Sequence, residues 1–173
     1  SPAGDVIGKT LAGTQPAGIV FAAGSVWVAN SGDSTVQQFS PDTFREGPVK
    51  SFPAGTQPQG ITYADGAIWV ANTGDDFVAR IDPASGANKQ IAVGAGPTAV
   101  ASGSDAVWVA NTKEGTVSRI DPTSNEVVAT IKIGMLFDED DKTIPLKDVA
   151  PAQATAGIYQ AEKIFISYSH KDT

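Results

Sequence analysis

The chain of 173 residues contains no cysteine and only one histidine, His170. The missing thiols exclude disulfides and thiolate chemistry. Because His170 lies near the end of the chain, residues 1–134 hold no histidine to act as a general base or metal ligand. No apolar run approaches the roughly 20 residues of a membrane span, and no secretory signal pattern is visible. These absences predict no membrane insertion and leave the cellular compartment open.

Charge is also scarce, because charged residues make up only 18% of the chain. The net charge is −7, of which residues 1–134 carry −4 (8 basic, 12 acidic) and residues 135–173 carry −3 (4 basic, 7 acidic). Neither part has the basic stripe typical of nucleic-acid binding. The same acidic balance argues against an anionic membrane surface as a partner.

Glycine and proline are plentiful, with 18 and 11 residues, which favours many turns and short strands. All three tryptophans occur in near-copies of one pentapeptide, 42 and then 39 residues apart: Val26–Asn30, Ile68–Asn72 and Val107–Asn111. A repeat of about 40 to 45 residues with four strands is the signature of a β-propeller blade. The sequence therefore predicts an all-β propeller of four-stranded antiparallel blades, with three clear blades in residues 1–134.

Each repeat divides into a glycine- and proline-containing turn, a short apolar strand, the tryptophan strand, a third strand ending before proline, and an outer strand. The predicted outer strands are Val49 to Phe52, Lys89 to Val93 and Val127 to Ile133. Asp5 to Leu11 is predicted to be the outer strand of a preceding unit, because it runs into the same kind of turn.

The tryptophan strand is apolar at consecutive positions, which indicates burial on both faces, as in stacked blades. We therefore expect the tryptophans to be core residues. Two further repeated types are expected to be structural, Asp82 and Asp121 as turn caps before proline. The asparagines that end the tryptophan strands are either strand-end residues that satisfy turn backbone groups or a ring of amides around a channel, and we favour the former.

The segments Val107–Asn111, Thr116–Pro122 and Val127–Gly134 resemble the YVTN-type repeats of bacterial propellers, relatives of NHL and lactonase-like propellers. The resemblance covers residues 5–134. It implies the propeller fold, but such propellers include binding modules, scaffolds and enzymes. The related lyases and lactonases use histidine or acidic metal ligands along the central tunnel. Because residues 1–134 supply no such histidine, we predict a protein that is not an enzyme and uses no cofactor.

Specificity in a propeller usually comes from loops that differ between blades. The turns that vary here predict a binding surface at one end of the blades, for a protein or small-molecule ligand. Phe77 replaces a threonine of the other repeats, and it is either a contact or a filler between blades. The predicted binding residues are Gln15, Asp33, Gln57, Asp75, Phe77, Lys113 and Glu114.

The repeat rhythm ends after Gly134. Residues 135–156 contain an acidic cluster, 138–141, and are predicted to be an insertion or linker that is solvated and binds no metal. Residues 157–173 are either part of a fourth blade or, because Phe165–Asp172 is similar to the opening strand of TIR domains, the start of such a domain. The second alternative predicts a sensor propeller joined to a signalling or NAD-cleaving effector. Both imply a polypeptide that continues past Thr173.

Three blades do not close a ring, because propellers have about four to eight. An open arc would leave two apolar blade faces exposed. We therefore expect that the chain is part of a larger propeller or that it self-associates through these faces, as three blades plus three. A further alternative is a fragment of a lyase- or lactonase-like propeller enzyme.

Overall fold

The computed structural model describes residues 13–43 and 46–133. Three sequence predictions concern residues outside these ranges: the strand at Asp5 to Leu11, the insertion at 135–156, and the two alternatives for 157–173. None of the described residues belongs to a helix that is long and apolar enough to cross a bilayer.

The described chain forms three four-stranded antiparallel sheets, each with its strands in sequence order, which confirms the predicted fold class. We call them blade 1 (β1–β4), blade 2 (β5–β8) and blade 3 (β9–β12). Their strands are β1 (Pro16–Ala22), β2 (Ser25–Asn30), β3 (Thr35–Phe39), β4 (Lys50–Pro53), β5 (Pro58–Ala64), β6 (Ala67–Asn72), β7 (Phe77–Ile81), β8 (Asn88–Ala92), β9 (Pro97–Gly103), β10 (Ala106–Asn111), β11 (Thr116–Asp121) and β12 (Glu126–Lys132).

The tryptophan strands are the most buried part of each blade. All six residues of β6 are buried, as the unbroken apolar pattern predicts. Trp27 and Trp69 are fully buried, whereas Trp108 is only partly buried. Each indole Nε1 donates a hydrogen bond of 3.0 Å to a carbonyl at the end of the preceding strand, so the ring orientation is the same in all three blades.

The two cores lie between successive blades. The tryptophan of each blade lies on one side of its sheet, which we call the trailing face. The opposite side, the leading face, carries the two apolar residues that precede and follow the tryptophan in sequence. Trp27 on the trailing face of blade 1 packs in one cluster with Ile68 and Val70 of blade 2. Trp69 packs in the same way with Val107 and Val109 of blade 3. The same contact, a tryptophan packed on two aliphatic residues of the next blade, therefore occurs at both junctions.

The inner strands approach each other backbone to backbone. A Cβ on Gly60 would lie 2.8 Å from both the Cα of Ala99 and the backbone nitrogen of Val100. A Cβ on Gly18 would collide with the carbonyl oxygen of Gln59. These two glycines are therefore required by packing between neighbouring blades, since glycine alone lets backbones come this close.

Tight two-residue turns join the first two strands of each blade. Both turn residues have positive φ, at Ala23–Gly24, Asp65–Gly66 and Ser104–Asp105. This is the type I′ turn that matches the twist of a hairpin, and it favours glycine. Blade 3 alone places a non-glycine residue at the second position.

We expect that Asp105→Gly stabilises the protein by about 0.5–1 kcal/mol, because it relieves a side chain held at positive φ. The φ of Asp105 is 53°, and its counterparts in blades 1 and 2 are glycines. Urea unfolding followed by circular dichroism measures the change. The control is Asp105→Ala, which keeps a Cβ and should give no gain; a gain as large as that of glycine would contradict the explanation.

Candidate functional site

One end of the blades gathers the variable turns, and we call it the loop end. It is formed by the turns that follow β2, β6 and β10 together with the segments that lead into β1, β5 and β9. In blade 1 these two pieces are joined by backbone hydrogen bonds from Ser31 N to Gln15 O (2.9 Å) and from Gly32 N to Thr14 O (3.1 Å). Blades 2 and 3 repeat both bonds at 2.9–3.1 Å. All seven predicted binding residues lie at this end.

The acidic residues of the loop end are engaged in holding the turns. The carboxylate of Asp33 accepts a hydrogen bond of 2.6 Å from Thr14 N and one of 2.5 Å from the Thr14 hydroxyl. Asp75 accepts one of 2.5 Å from Thr56 N. Glu114 accepts one of 3.0 Å from Ala95 N. Each blade therefore uses one carboxylate to cap its own entry segment, a role that the sequence analysis did not assign to these residues.

The electrostatics of Asp33 reflect this cap. Its hydrogen bond with the Thr14 hydroxyl, and then that with Thr14 N, lower the pKa of the carboxyl below its ordinary value of 3.8. A similar effect occurs at Asp82, where hydrogen bonds from the backbone and hydroxyl of Ser85 lower the pKa. The predicted turn-capping role of Asp82 is thus confirmed, because its carboxylate accepts a hydrogen bond from Ser85 N. Asp121 also caps its turn, by accepting a hydrogen bond of 2.8 Å from Thr123 N.

We expect Thr14→Val to destabilise the protein at neutral pH and to lose this effect in acid. The folded-state pKa of Asp33 lies below 3.8, so the stability that its charged form contributes is complete above that value and disappears as pH falls through the folded pKa. Thermal unfolding of wild type and variant across this range tests it. Thr56→Val is the matched control, because the Thr56 hydroxyl makes no hydrogen bond within the described part of the chain. An equal pH dependence in both variants would contradict this account.

The three repeated asparagines are buried at the ends of their strands, with exposed fractions of 0%, 0% and 1% for Asn30, Asn72 and Asn111. In blade 2 the Asn72 Oδ1 accepts a hydrogen bond of 2.8 Å from Gly55 N. In blade 3 the Asn111 Nδ2 donates to the hydroxyls of Thr116 and Ser118 at 3.0 and 2.9 Å. All three asparagines are therefore buried strand-end residues, but only Asn72 bonds a backbone group of a turn as the favoured interpretation predicts, since Asn30 and Asn111 donate to side-chain oxygens.

Two glutamines of the loop end have a different character. Gln15 and Gln57 both precede proline with φ of 52° and 53°, and both are exposed. Their backbone carbonyls hold the turns, but their side-chain amides form no hydrogen bond within residues 13–43 and 46–133. Gly96 is the counterpart in blade 3, with φ of 64°. The amides of these glutamines are thus exposed donors and acceptors on two neighbouring blades.

Lys113 and Phe77 complete the predicted set. Lys113 is exposed, lies over Gly96, and forms no ion pair among the described residues. Phe77 is half-buried and packs against the core between blades 1 and 2, and its ring touches Gly55. Of the two alternatives for Phe77, the structure favours the filler. Of the seven predicted binding residues, Gln15, Gln57 and Lys113 are therefore the ones whose polar side-chain groups have no partner among the described residues.

Sequence analysis missed the polar links between blades 2 and 3 at this end. Asp76 Oδ1 accepts a hydrogen bond of 2.8 Å from Gly96 N, and the Thr73 hydroxyl donates one of 2.7 Å to Pro97 O. Both partners are at least 20 residues away in sequence, so no local pattern marks them. They fix the relative position of two neighbouring turns.

Two depressions lie elsewhere on the blades. One, of about 280 Å³, follows the inner strands and is lined mainly by small and aliphatic residues of β1, β5 and β9. The other, of about 460 Å³, lies between the hairpin ends of blades 2 and 3, beside Tyr63, Asp65 and Asp105. Among the described residues, no group of three histidine, cysteine or acidic side chains is placed to hold a metal ion.

Comparison with known proteins gives the fold of this chain. No protein-family model and no curated protein sequence matches it. Among solved structures, hydrazine synthase from Kuenenia stuttgartiensis matches with a TM-score of 0.64 and 18% identity over 81% of this chain and 43% of that protein. Streptogramin B lyase matches with a TM-score of 0.60 and 22% identity over 68% of this chain and 40% of the lyase.

A 6-phosphogluconolactonase-like protein from Bacteroides uniformis matches with a TM-score of 0.58 and 15% identity over 75% of this chain and 44% of its own. The chain thus spans about two fifths of the length of these three proteins. At such low identity the matches bear on the fold alone. They show that the described residues are blades of a β-propeller.

Proposed function

We propose that the chain is a binding module without catalytic residues, which recognises a ligand at its loop end through Gln15, Gln57 and Lys113. The observation that carries this proposal is that the polar side chains of the loop end fall into two groups. The carboxylates of Asp33 and Asp75 hold the turns, whereas the amides and the ammonium group are exposed and unpaired among the described residues.

The chemistry of these three side chains indicates the kind of ligand. Side-chain amides both donate and accept hydrogen bonds, and an ammonium group attracts an acceptor or an anion. Turns that are fixed by backbone hydrogen bonds present these groups with little further loss of backbone conformational entropy on binding, so the remaining entropic cost is that of ordering the side chains. A polar ligand with several acceptors, either a small molecule or a loop of another protein, fits this surface best.

A triple variant tests the proposal. Gln15→Ala, Gln57→Ala and Lys113→Ala are combined, and wild type and variant are screened against one array of glycans, peptides and polar metabolites. Each hydrogen bond is worth about 0.5–1.5 kcal/mol net, so ligands that bind the wild type should bind the triple variant about 10-fold to 1000-fold more weakly.

The matched control is the triple variant of Lys89, Gln90 and Thr130 to alanine, which removes the same charge from exposed positions on the outer strands. It should bind as the wild type does. Ligands that bind the loop-end variant and the wild type equally would refute the proposed surface.

The enzymatic alternative has its own test. Streptogramin B lyase and the lactonase-like protein share the fold, and their names give two substrates to assay, streptogramin B and 6-phosphogluconolactone. We expect the chain to convert neither faster than a buffer blank. Turnover that follows protein concentration would overturn the proposal of a module without catalytic residues.

A further inference from the structure

The depression of about 460 Å³ between blades 2 and 3 exists because blade 3 lacks an aromatic residue at one position. Phe21 and Tyr63 occupy this position in blades 1 and 2, and Ser102 occupies it in blade 3. Tyr63 pairs with Ile68 and Ser102 pairs with Val107, so both side chains lie on the leading faces of their blades. The Tyr63 side chain is therefore directed towards blade 1, whereas the much smaller Ser102 side chain leaves the corresponding space towards blade 2 open.

We call this depression the hairpin recess, and polar residues from both blades line it. Among its lining residues are Asp65 of blade 2 and Ser102, Ser104, Asp105 and Thr123 of blade 3. At the junction of blades 1 and 2, the residues at the positions of Asp65, Asp105 and Thr123 are Ala23, Gly66 and Ala84. The polar groups are thus a property of this one junction and not of the blade architecture.

The hairpin recess carries negative charge that the protein compensates only in part. Asp65 Oδ2 lies 3.9 Å from Arg80 Nη2, which also donates a hydrogen bond of 3.4 Å to Asp65 O. The Asp105 carboxylate is exposed and has neither a hydrogen bond nor an ion pair within residues 13–43 and 46–133. No lysine or arginine is among the residues that line the recess. A cation in the recess would therefore be attracted by Asp105.

Asp105 also occupies a backbone position for which glycine is the better residue. Its φ is 53°, and the corresponding residues of blades 1 and 2 are Gly24 and Gly66. We expect above that glycine at position 105 stabilises the fold, so the carboxylate is present at a cost to stability. Residues held in such conformations are concentrated at binding and catalytic sites.

We propose that the hairpin recess binds a guanidinium group, carried either by an arginine of a partner protein or by a free small molecule. A guanidinium is planar, so it suits a space that an aromatic side chain occupies one junction earlier, and its N–H groups can donate to the Asp105 carboxylate and the Ser102 hydroxyl. It is also less strongly hydrated than an ammonium group, so its transfer from water costs less. The recess lies at the opposite end of the strands from the loop end, so this site is independent of the function proposed there.

Titration of the full chain with butylguanidine, followed by the NMR shifts of backbone amides, tests the proposal. A second titration uses a short peptide with blocked ends and one central arginine. We expect saturable shifts at Ser104, Asp105 and Thr123 with a Kd of about 1 mM, as suits one small group in an open site. The probe that binds more tightly identifies the source of the guanidinium. Butylamine, which has the same alkyl chain but an ammonium group, should bind at least about 10-fold more weakly because it lacks the planar fork of donors.

Two variants locate the binding in the hairpin recess. Asp105→Gly removes the carboxylate and is expected to stabilise the fold, so a loss of binding in this variant cannot result from unfolding. Ser102→Tyr fills the recess with the side chain that blade 2 carries at this position. Each should weaken the binding of butylguanidine by about 10-fold to 100-fold.

Asp42→Asn is the matched control, because it removes an exposed carboxylate from blade 1 and should bind butylguanidine as the wild type does. Three results would each overturn the proposal: no saturable shift with either guanidinium probe, equal affinity for butylamine, or binding that neither Asp105→Gly nor Ser102→Tyr weakens.

Discussion

Trp69→Ala is expected to lower the free energy of unfolding by about 3–5 kcal/mol, the usual cost of removing a fully buried tryptophan. The Trp69 ring is 0% exposed and packs with Val107, Val109 and Ile120 of the next blade, so alanine leaves a cavity between two sheets. The guanidinium of Arg80 also lies 5.7 Å from the ring centre and loses that contact. Urea unfolding followed by far-ultraviolet circular dichroism measures the loss.

Trp108→Ala is the matched control for this prediction. Trp108 has the same hydrogen bond to a strand carbonyl and the same arginine contact, from Arg119 at 5.7 Å. No described blade covers its ring, so we expect Trp108→Ala to lower the free energy of unfolding by only about 1–2 kcal/mol, measured at a concentration at which the chain is monomeric. Equal losses for the two variants would contradict the view that contact between blades, rather than the strand itself, supplies the stability.

Gly60→Ala is expected to cost about 2–3 kcal/mol, because the added methyl meets backbone atoms that cannot rotate away. The nearest atoms are the Cα of Ala99 and the nitrogen of Val100, both 2.8 Å from the Cβ position, and Thr98 O at 2.9 Å. Blades 2 and 3 would have to separate, and the hydrogen bond of 2.7 Å between Thr73 and Pro97 O would lengthen or break. Chemical denaturation measures the cost.

The control for Gly60 is Gly103→Ala, in the inner strand of blade 3. A Cβ on Gly103 has no heavy atom within 4 Å, so this variant should unfold at nearly the wild-type urea concentration. A comparable loss at both positions would mean that the backbone preferences of glycine, and not the approach of neighbouring strands, explain the cost at Gly60.

The fold was predictable because the blade is specified by local patterns that recur. The consecutive apolar residues around each tryptophan mark a strand buried on both faces, and proline or Asx residues mark the ends of the neighbouring strands. Strand ends are less clear from the sequence, since β9 begins at Pro97, two residues before the apolar run Ala99 to Ala101. That extension depends on pairing with Asn111 across an irregular register, which the sequence of one strand does not reveal.

The candidate site was less predictable, because whether a polar side chain is hydrogen-bonded or free to bind a ligand depends on residues far away in sequence. The bond between Asp33 and Thr14 spans 19 residues, as do the equivalent bonds of Asp75 and Glu114. One signal was present in the sequence: an acid follows each strand-end asparagine by three residues. A residue type that recurs at the same position in every blade indicates a structural role, and these carboxylates recur in all three blades.

Each carboxylate cap joins two segments of the same blade, so every repeat carries the parts that close its own entry turn. A gene segment that encodes one repeat can therefore be duplicated or deleted in frame without separating a cap from its partner. Unequal recombination would then change the number of blades in whole steps. Selection would act chiefly on the residues that meet at each new junction, such as Gly18, Gly60 and Ala99.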